Sequence, residues 1–293
     1  MQSNKSDVEG GSRVALVSGC SSGIGRVIAK HLAGAGWVVF AGLRRDHDAQ
    51  SGDGLRALGL HPLALDVTDP GECAAAIERI GTERGRLDAL VNNAGVNALG
   101  AVEDQPEHAL RSVMEVNFFG AMALTRHALP LLRRERGSTI VMVSSLSGLI
   151  GLPGSSAYCA SKFALEGAAE SLRNEVGRFG VRVSLIEPGG FASAMSSKQV
   201  LAADYAADSP YGPMLGHLAR ARPAIADPTP VAELVLEIID SPAPRLRYAA
   251  GKQAVEVVAR LATLDDESRQ RYARAVTDLD WWHEGGAPER EKS

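Results

Sequence analysis

The sequence predicts a doubly wound α/β fold in a single domain, a parallel sheet with helices on both faces. Three observations carry that reading. Short apolar, β-branched runs at 13–18, 37–42, 62–66, 88–91, 139–143 and 181–186 alternate with helix-length segments, the order that builds parallel strands with crossover helices. The runs are apolar at consecutive positions, as in Ile140-Val141-Met142-Val143, so both faces of the sheet must be covered. The polar or glycine-rich clusters at 18–25, 92–95, 144–147 and 188–193 all follow the ends of such runs, and sheets of this kind bind ligands beyond the carboxyl ends of their strands. At 293 residues the chain is long enough to bury a substantial core in one unit.

The first run leads through Ser18-Gly19-Cys20-Ser21-Ser22-Gly23-Ile24-Gly25 into a helical pattern. A turn of this composition lets the backbone bend tightly, approach a pyrophosphate and aim helix N-terminal N–H groups at it. Without its strand-turn-helix setting the same glycine spacing would be an ordinary flexible turn. No Lys-Ser or Lys-Thr follows Gly25, which excludes a nucleoside-triphosphate loop. The second run ends Ala41-Gly42-Leu43-Arg44-Arg45, with no acid where a ribose 2′-hydroxyl needs one. Arg44 is therefore the candidate ligand of a 2′-phosphate, which favours NADP over NAD; a solvated surface arginine is the plainer alternative, and Asp46 or Asp48 could still reach a ribose. Asp66-Val67, closing the third run, suits an adenine edge, and Asn92-Asn93-Ala94-Gly95 suits a close backbone pass beside the cofactor.

The fifth run ends in Ser144-Ser145, and a long helical pattern then opens with Tyr158-Cys159-Ala160-Ser161-Lys162. A phenol with a pKa of about 10 is a poor acid-base group near neutrality, and lowering it by two to three units takes roughly 3 to 4 kcal/mol. On a helix, positions 158 and 162 share a face, so the Lys162 ammonium is expected to stabilise the Tyr158 phenolate. Tyr248 and Lys252 repeat the spacing without a preceding Ser-Ser and with Gly251 between them; that pair reads as structural.

Residues 1–12 form a polar, Gly-rich tail expected to be flexible, 13–250 the catalytic domain, and 251–293 a C-terminal helical extension and tail. Within the domain, 194–230 is too irregular for one helix and too apolar for a linker, and reads as a flap over the site. The extension carries an amphipathic stretch at 255–276 and then Trp281-Trp282, expected to pack on the parent domain or a sister subunit. With 31 basic and 35 acidic residues and a net charge of −4, the chain has no electrostatic footprint for nucleic acid or an anionic membrane. Cys20, Cys73 and Cys159 are odd in number and widely spaced, which supports neither a disulfide framework nor a metal site. No run approaches the roughly 20 apolar residues of a membrane span, and a cytoplasmic location fits these features.

Taken together these motifs resemble the short-chain dehydrogenase/reductase family over 13–250, with Ser18 standing where Thr is usual. The resemblance implies a Rossmann-type fold, a homodimer or homotetramer, and a full set of roles. Asn117 is the active-site Asn that supports a proton path behind Lys162; Ser145 meets the substrate carbonyl; Tyr158 is the acid-base group and Lys162 its partner. The cofactor falls to Gly19, Cys20, Ser21, Ser22, Gly23, Ile24, Gly25, Arg44, Asp66, Val67, Asn93, Ala94, Gly95, Tyr158, Lys162 and, at the nicotinamide, Pro188, Gly189 and Ser193. Segments 151–153, 158–167, 184–187 and 246–248 are similar to the branch containing estradiol 17β-dehydrogenase type one and photoreceptor-type retinol dehydrogenase, which implies NADP preference. His217 lies near the place of that branch's flap histidine, although a surface histidine is the plainer reading.

The expected reaction is hydride transfer between the nicotinamide of NADP and a hydrophobic ketone or secondary alcohol, steroid-, retinoid- or polyketide-like. Phe191, Met195, Leu149, Leu152, Val96 and Leu99 follow the strand ends and are candidate pocket walls. Reduction of a polyketide or fatty-acyl ketone fits the same motifs. A non-catalytic nucleotide sensor or scaffold is the competing class, and the presence of all four chemical positions counts against it.

Overall fold

The computed structural model describes residues 12–44, 49–191, 200–201, 209–220 and 226–287. Its first half runs β1 (Val14–Val17), α1 (Gly23–Gly34), β2 (Val38–Leu43), α2 (Ala49–Arg56), β3 (His61–Ala64), α3 (Pro70–Arg84) and β4 (Ala89–Asn92). A short β5 (Ala98–Leu99) and α4 (Glu107–Met114) lead through a π-helical turn (Glu115–Gly120) into α5 (Ala121–Leu132) and β6 (Thr139–Val143). Then follow α6 (Ser156–Val176), β7 (Arg182–Pro188), β8 (Val200–Leu201), α7 (Gly212–Arg220), α8 (Thr229–Asp240) and β9 (Arg247–Ala250). Three helices end the described chain: α9 (Lys252–Leu261), α10 (Asp266–Thr277) and α11 (Asp280–His283).

Seven of these strands form one sheet in the order β3-β2-β1-β4-β6-β7-β9, every pair parallel. The chain winds outward from β1 in one direction and from β4 in the other, so a crevice opens between their carboxyl ends. Alternation along each strand feeds two cores. Leu16, Phe40, Leu90, Ile140 and Met142 face α3, α5 and α6, meeting Ile80, Leu124, Leu165 and Leu172. Ala15, Val17, Val39, Val91, Val141 and Ile186 face α1 and α8, meeting Ile28, Leu32, Val235 and Ile238. This is the physical reason the runs read as continuously apolar. Local chemistry fixes the helix limits: Asp69 caps α3 through Gly71 N and Glu72 N, Pro70 occupies its first turn, and Gly85 closes it with φ 72°.

The expected strands lie within two residues of the observed ones at each end. β2 runs on to Leu43 because Leu65 N donates to Leu43 O, while β3 stops at Ala64 as Asp66 turns its carboxylate to Thr68. The expected single amphipathic stretch at 255–276 is corrected to two helices, since the Asp265 side chain accepts from Ser268 N and starts α10. Trp281 and Trp282 pack on the parent domain against Tyr211, Met214 and Leu215 of the α7 segment. His217 is not the expected surface residue. Only 17% of its side chain is exposed, its ring sits 5.9 Å from that of Trp281, and Nε2 lies 3.6 Å from an Asp278 carboxylate oxygen. Of the expected flap, β8 pairs with β5 and α7 buries Met214 and Leu215; residues 192–199, 202–208 and 221–225 lie outside the described residues, as do Met195, Asp46 and Asp48. Tyr248 is structural, as expected: its hydroxyl accepts from Arg245 N at 2.9 Å. No helix among the described residues is long and apolar enough to cross a membrane.

Leu90 is fully buried in β4, at the centre of the sheet. Leu90→Ala should lower the free energy of unfolding by about 2–5 kcal/mol in urea titration, the range for a buried leucine whose cavity cannot collapse. A loss too small to measure would contradict the packing described.

Candidate active site

The carboxyl ends of β1 to β4 enclose a cavity of about 310 Å³. Gly19, Ser21, Ser22, Ile24, Gly25, Arg44, Asp66, Val67, Asn93, Ala94 and Gly95 line it, which brings together most of the residues expected to bind the cofactor. The glycines are dictated by crowding. Gly19 has φ +75°, and a Cβ there would meet Ala94 Cα at 2.9 Å; a Cβ on Gly25 would meet Asn93 Nδ2 at 2.3 Å and Gly19 O at 2.5 Å. The N-cap residue of α1, Ser22, makes no side-chain cap bond, so the first-turn N–H groups stay available to an anion in the cavity. A narrow cleft ending at a helix N-terminus, with Arg44 at its rim, fits an extended phosphate-bearing dinucleotide.

Of the expected cofactor residues, Cys20, Gly23, Tyr158, Lys162, Pro188 and Gly189 are not part of this lining. Cys20 is fully buried, its thiol directed at Val17 O and Gly25 O, and burial pushes its pKa far up. Ser193 lies outside the described residues. Gly23 begins α1 with φ +58°, and Pro188 and Gly189 close β7 beside Ala250 and Ala254.

The sequence reading missed the residue that ties the cleft together. Ser18 is buried and its Oγ accepts from both Asn93 N and Ala94 N, at 3.0 Å each, while Asn93 Nδ2 donates to Ser18 O at 2.9 Å. The signal was in the motif, where a hydroxyl is kept at position 18. Leu43, Leu65, Thr68, Ser112 and Val116 also line the cavity without having been singled out; being apolar or neutral, they carried no chemical mark.

Ser145, Tyr158 and Lys162 meet at the end of β6. Ser145 Oγ accepts from Ser147 N at 3.1 Å, which leaves its own proton to be donated outward. Tyr158 packs with Val96, Ala98, Val113 and Ala157, within reach of the Ser145 hydroxyl. Lys162 is 3% exposed; its Nζ donates to Val143 O at 2.8 Å and lies 5.7 Å from the centre of the Tyr158 ring. Asn117 sits in the π-helical turn, its Oδ1 accepting from Val96 N and its Nδ2 donating to Val96 O and Ser161 Oγ. Both amide protons are committed to joining three segments of the site.

The expected acidified phenol is corrected. The packing around Tyr158 pushes its pKa up to about 12 and the Ser145 hydroxyl pulls it down only in part; burial brings Lys162 down to about 8, with Glu166 raising it. Desolvation outweighs the Ser145 hydrogen bond at Tyr158 and the Glu166 charge at Lys162. Of the expected pocket walls, Val96 lines the cavity, Phe191 packs on the core beside Gly251, Leu99 is buried near Gly154, and Leu149 and Leu152 meet Val257 and Tyr272 of the C-terminal helices. The three cysteines are free and buried, and among the described residues no cluster of His, Cys, Asp and Glu could hold a metal ion.

The model of the short chain dehydrogenase family matches residues 13–203. The human 17-beta-hydroxysteroid dehydrogenase type 1 is 37% identical over 281 residues, covering 90% of this chain and 84% of that protein. Among solved structures, a short-chain dehydrogenase from Streptomyces avermitilis is 34% identical with a TM-score of 0.77, covering 94% of this chain and 98% of that one. A variant of actinorhodin polyketide ketoreductase with NADPH is 29% identical with a TM-score of 0.68, covering 82% and 95%. The cleft and its Ser-Tyr-Lys cluster thus sit on a chain that belongs to the short-chain dehydrogenase family. It is an oxidoreductase of that family, whose cofactor is NAD or NADP.

Lys162 gives a pH signature. Its folded pKa of about 8 lies below the ordinary 10.5, so the folded protein binds fewer protons than the unfolded chain between those values and its contribution to stability rises with pH across that window. The cost of holding the ammonium buried is on the order of 3 kcal/mol below pH 8. Lys162→Met should gain in stability over the wild type at pH 7, with the difference shrinking as pH approaches 10. A constant difference, measured by denaturant titration, would contradict the burial.

Proposed function

We propose that the protein is an NADP-dependent oxidoreductase that reduces a hydrophobic ketone to the secondary alcohol, or runs the reverse. The observation that carries the reading is the hydroxyl pair of Ser145 and Tyr158 beside the dinucleotide cleft, with Lys162 one helical turn on. When bound, NADPH supplies the hydride. Ser145 donates to the carbonyl oxygen, a fixed donor placed where negative charge develops. Tyr158, fully protonated at neutral pH because its pKa is about 12, gives its proton to that same oxygen. Lys162 spends one donor on Val143 O and keeps two for the nicotinamide ribose. Asn117 holds the loop at Val96 and α6 in register at Ser161, so its support for proton delivery is by placement.

Arg44 at the cavity rim supports the choice of NADP, since no acid stands at the end of β2 among the described residues. The relatives point the same way in substrate class: one carries a steroid dehydrogenase name and one a polyketide ketoreductase name crystallised with NADPH. Val96, Leu110 and Val113 pack about Tyr158 and surround its ring with apolar side chains, which supports a hydrophobic substrate. NADPH oxidation followed against steroid, retinoid-like, polyketide-like and short polar carbonyls tests the reading. Turnover of bulky hydrophobic substrates supports it; NADP binding without turnover of any carbonyl would leave a sensor or scaffold.

Tyr158→Phe removes the transferable proton and keeps the ring. Turnover should fall by about 10²- to 10⁴-fold, the usual worth of an acid-base group, with NADP affinity unchanged. In the wild type, alcohol oxidation should climb toward alkaline pH as the phenol ionises, and the variant should lose that climb. Near-normal turnover in the variant would refute the assignment.

Arg44→Ala should erode cofactor preference. A charge-assisted hydrogen bond to phosphate contributes roughly 1.5–3 kcal/mol, which corresponds to a tenfold to hundredfold preference. Fluorescence titration with NADPH and NADH measures it, and equal wild-type affinities would overturn it.

A further inference from the structure

A second cluster of charge lies one turn along α6 from Lys162. Glu166 is 5% exposed and its Oε2 accepts from Arg247 Nε at 2.9 Å; Glu187, on β7, is 1% exposed with Oε1 3.4 Å from the same nitrogen. Arg247 also donates to the half-exposed Glu170 through Nη2 at 2.7 Å. Glu166 Oε1, Glu187 Oε1 and Ser144 Oγ are buried without a hydrogen bond of full geometry, yet the Ser144 hydroxyl comes close enough to pull the Glu166 pKa down. Ser144 Oγ and Glu166 Oε1 both lie within 3.3 Å of where a Cβ on Gly148 would stand.

The charges facing Glu166 can be counted by element. Helix α6 brings Lys162 and Glu170, β7 brings Glu187, β9 brings Arg247, and the segment after β6 brings only Ser144 and Gly148, which do not titrate. Three carboxylates thus stand against two cations, and the two buried ones share one guanidinium nitrogen. A single Arg–Glu pair would suffice to join β9 to α6. The surplus carboxylate is costly to bury ionised, and two such groups in one site resolve by one of them keeping its proton. Burial, followed by the charge of Glu166, pushes Glu187 up to about 7; burial raises Glu166 as well, but the Ser144 hydroxyl and the Arg247 bond at 2.9 Å offset it in part.

Building on the proposed reaction, we propose that Glu166 is a positioning residue that keeps Lys162 cationic beside the site, and that Glu187 carries the proton that lets Glu166 stay ionised. The same end of β6 ties the parts together: Val143 O holds the ammonium, Ser144 borders Glu166, and Ser145 faces the substrate side.

The test uses the full chain without cofactor, with lysine side chains labelled with ¹³C at Cε and titrated by NMR. There are six lysines, Lys5, Lys30, Lys162, Lys198, Lys252 and Lys292, and Lys162→Arg identifies the signal of interest. Glu166→Gln should lower the Lys162 midpoint by about one pH unit, the size of a neighbouring-charge effect. Glu187→Gln should lower it by less, because Glu166 is the carboxylate whose charge acts on Lys162 whereas Glu187 stands on β7 beside Arg247. An unshifted midpoint in folded Glu166→Gln, or an equal fall in Glu187→Gln, overturns the proposal. Should Glu166→Gln fail to fold, Glu187→Gln decides through stability. The folded wild type binds the extra proton between about pH 4.5 and pH 7, so it loses stability as pH rises through that range. Glu187→Gln should not share that loss, and a variant that does overturns the proposal. The titration needs no substrate: a Lys162 shift in a protein that reduces no carbonyl would sink the proposed reaction and leave the cluster standing.

Discussion

A parallel sheet buried on both faces leaves only its strand ends for chemistry. Every interior residue of β1, β4 and β6 is committed to one of two hydrocarbon cores, so polar groups must gather where the strands stop. The winding direction reverses between β1 and β4, which parts the flanking connections and opens a cleft there. Ser18, the first residue past β1, then binds the chain past β4 through two N–H groups. The site's position therefore follows from packing, and its shape from one buried hydroxyl and the glycines that let two loops touch.

Low polarability around the site decides how its groups ionise. Lys162 and Tyr158 are both shifted toward their neutral forms, because loss of hydration costs more than the Glu166 charge returns to the one and the Ser145 hydrogen bond to the other. A phenol protonated at neutral pH is suited to giving a proton rather than taking one. Glu166 opposes the loss of charge at Lys162, and the carboxylates around Arg247 become part of the site's electrostatics.

Much of this was legible in the sequence because consecutive apolar residues, strand-end glycines and an i, i+4 Tyr-Lys pair each have a direct physical meaning. The strands follow from local pattern alone, whereas the full cleft lining from Gly19 to Gly95 and the junction of Ser145 with Tyr158 follow from that pattern together with the family resemblance. What did not follow depends on contacts distant in sequence. Cys20 turns inward, its thiol against Val17 O of β1 and Gly25 O of α1, which no spacing reveals. His217 is covered by Trp281, over sixty residues on, and Arg247 meets three carboxylates from two other elements. The sign of the Tyr158 shift was missed for the same reason: spacing shows that a charge is near, whereas desolvation depends on everything else packed around it.

The central claim is that this site moves a hydride from a nicotinamide to a carbonyl carbon. It is tested most directly with NADPH carrying deuterium at the transferred position of C4 and a hydrophobic ketone found to be turned over, the product being analysed by mass spectrometry and NMR. The account predicts one deuterium per cofactor oxidised, on the carbinol carbon and on a single face, with the hydroxyl hydrogen drawn from solvent. Oxidation of the cofactor with no label on the product carbon would contradict it.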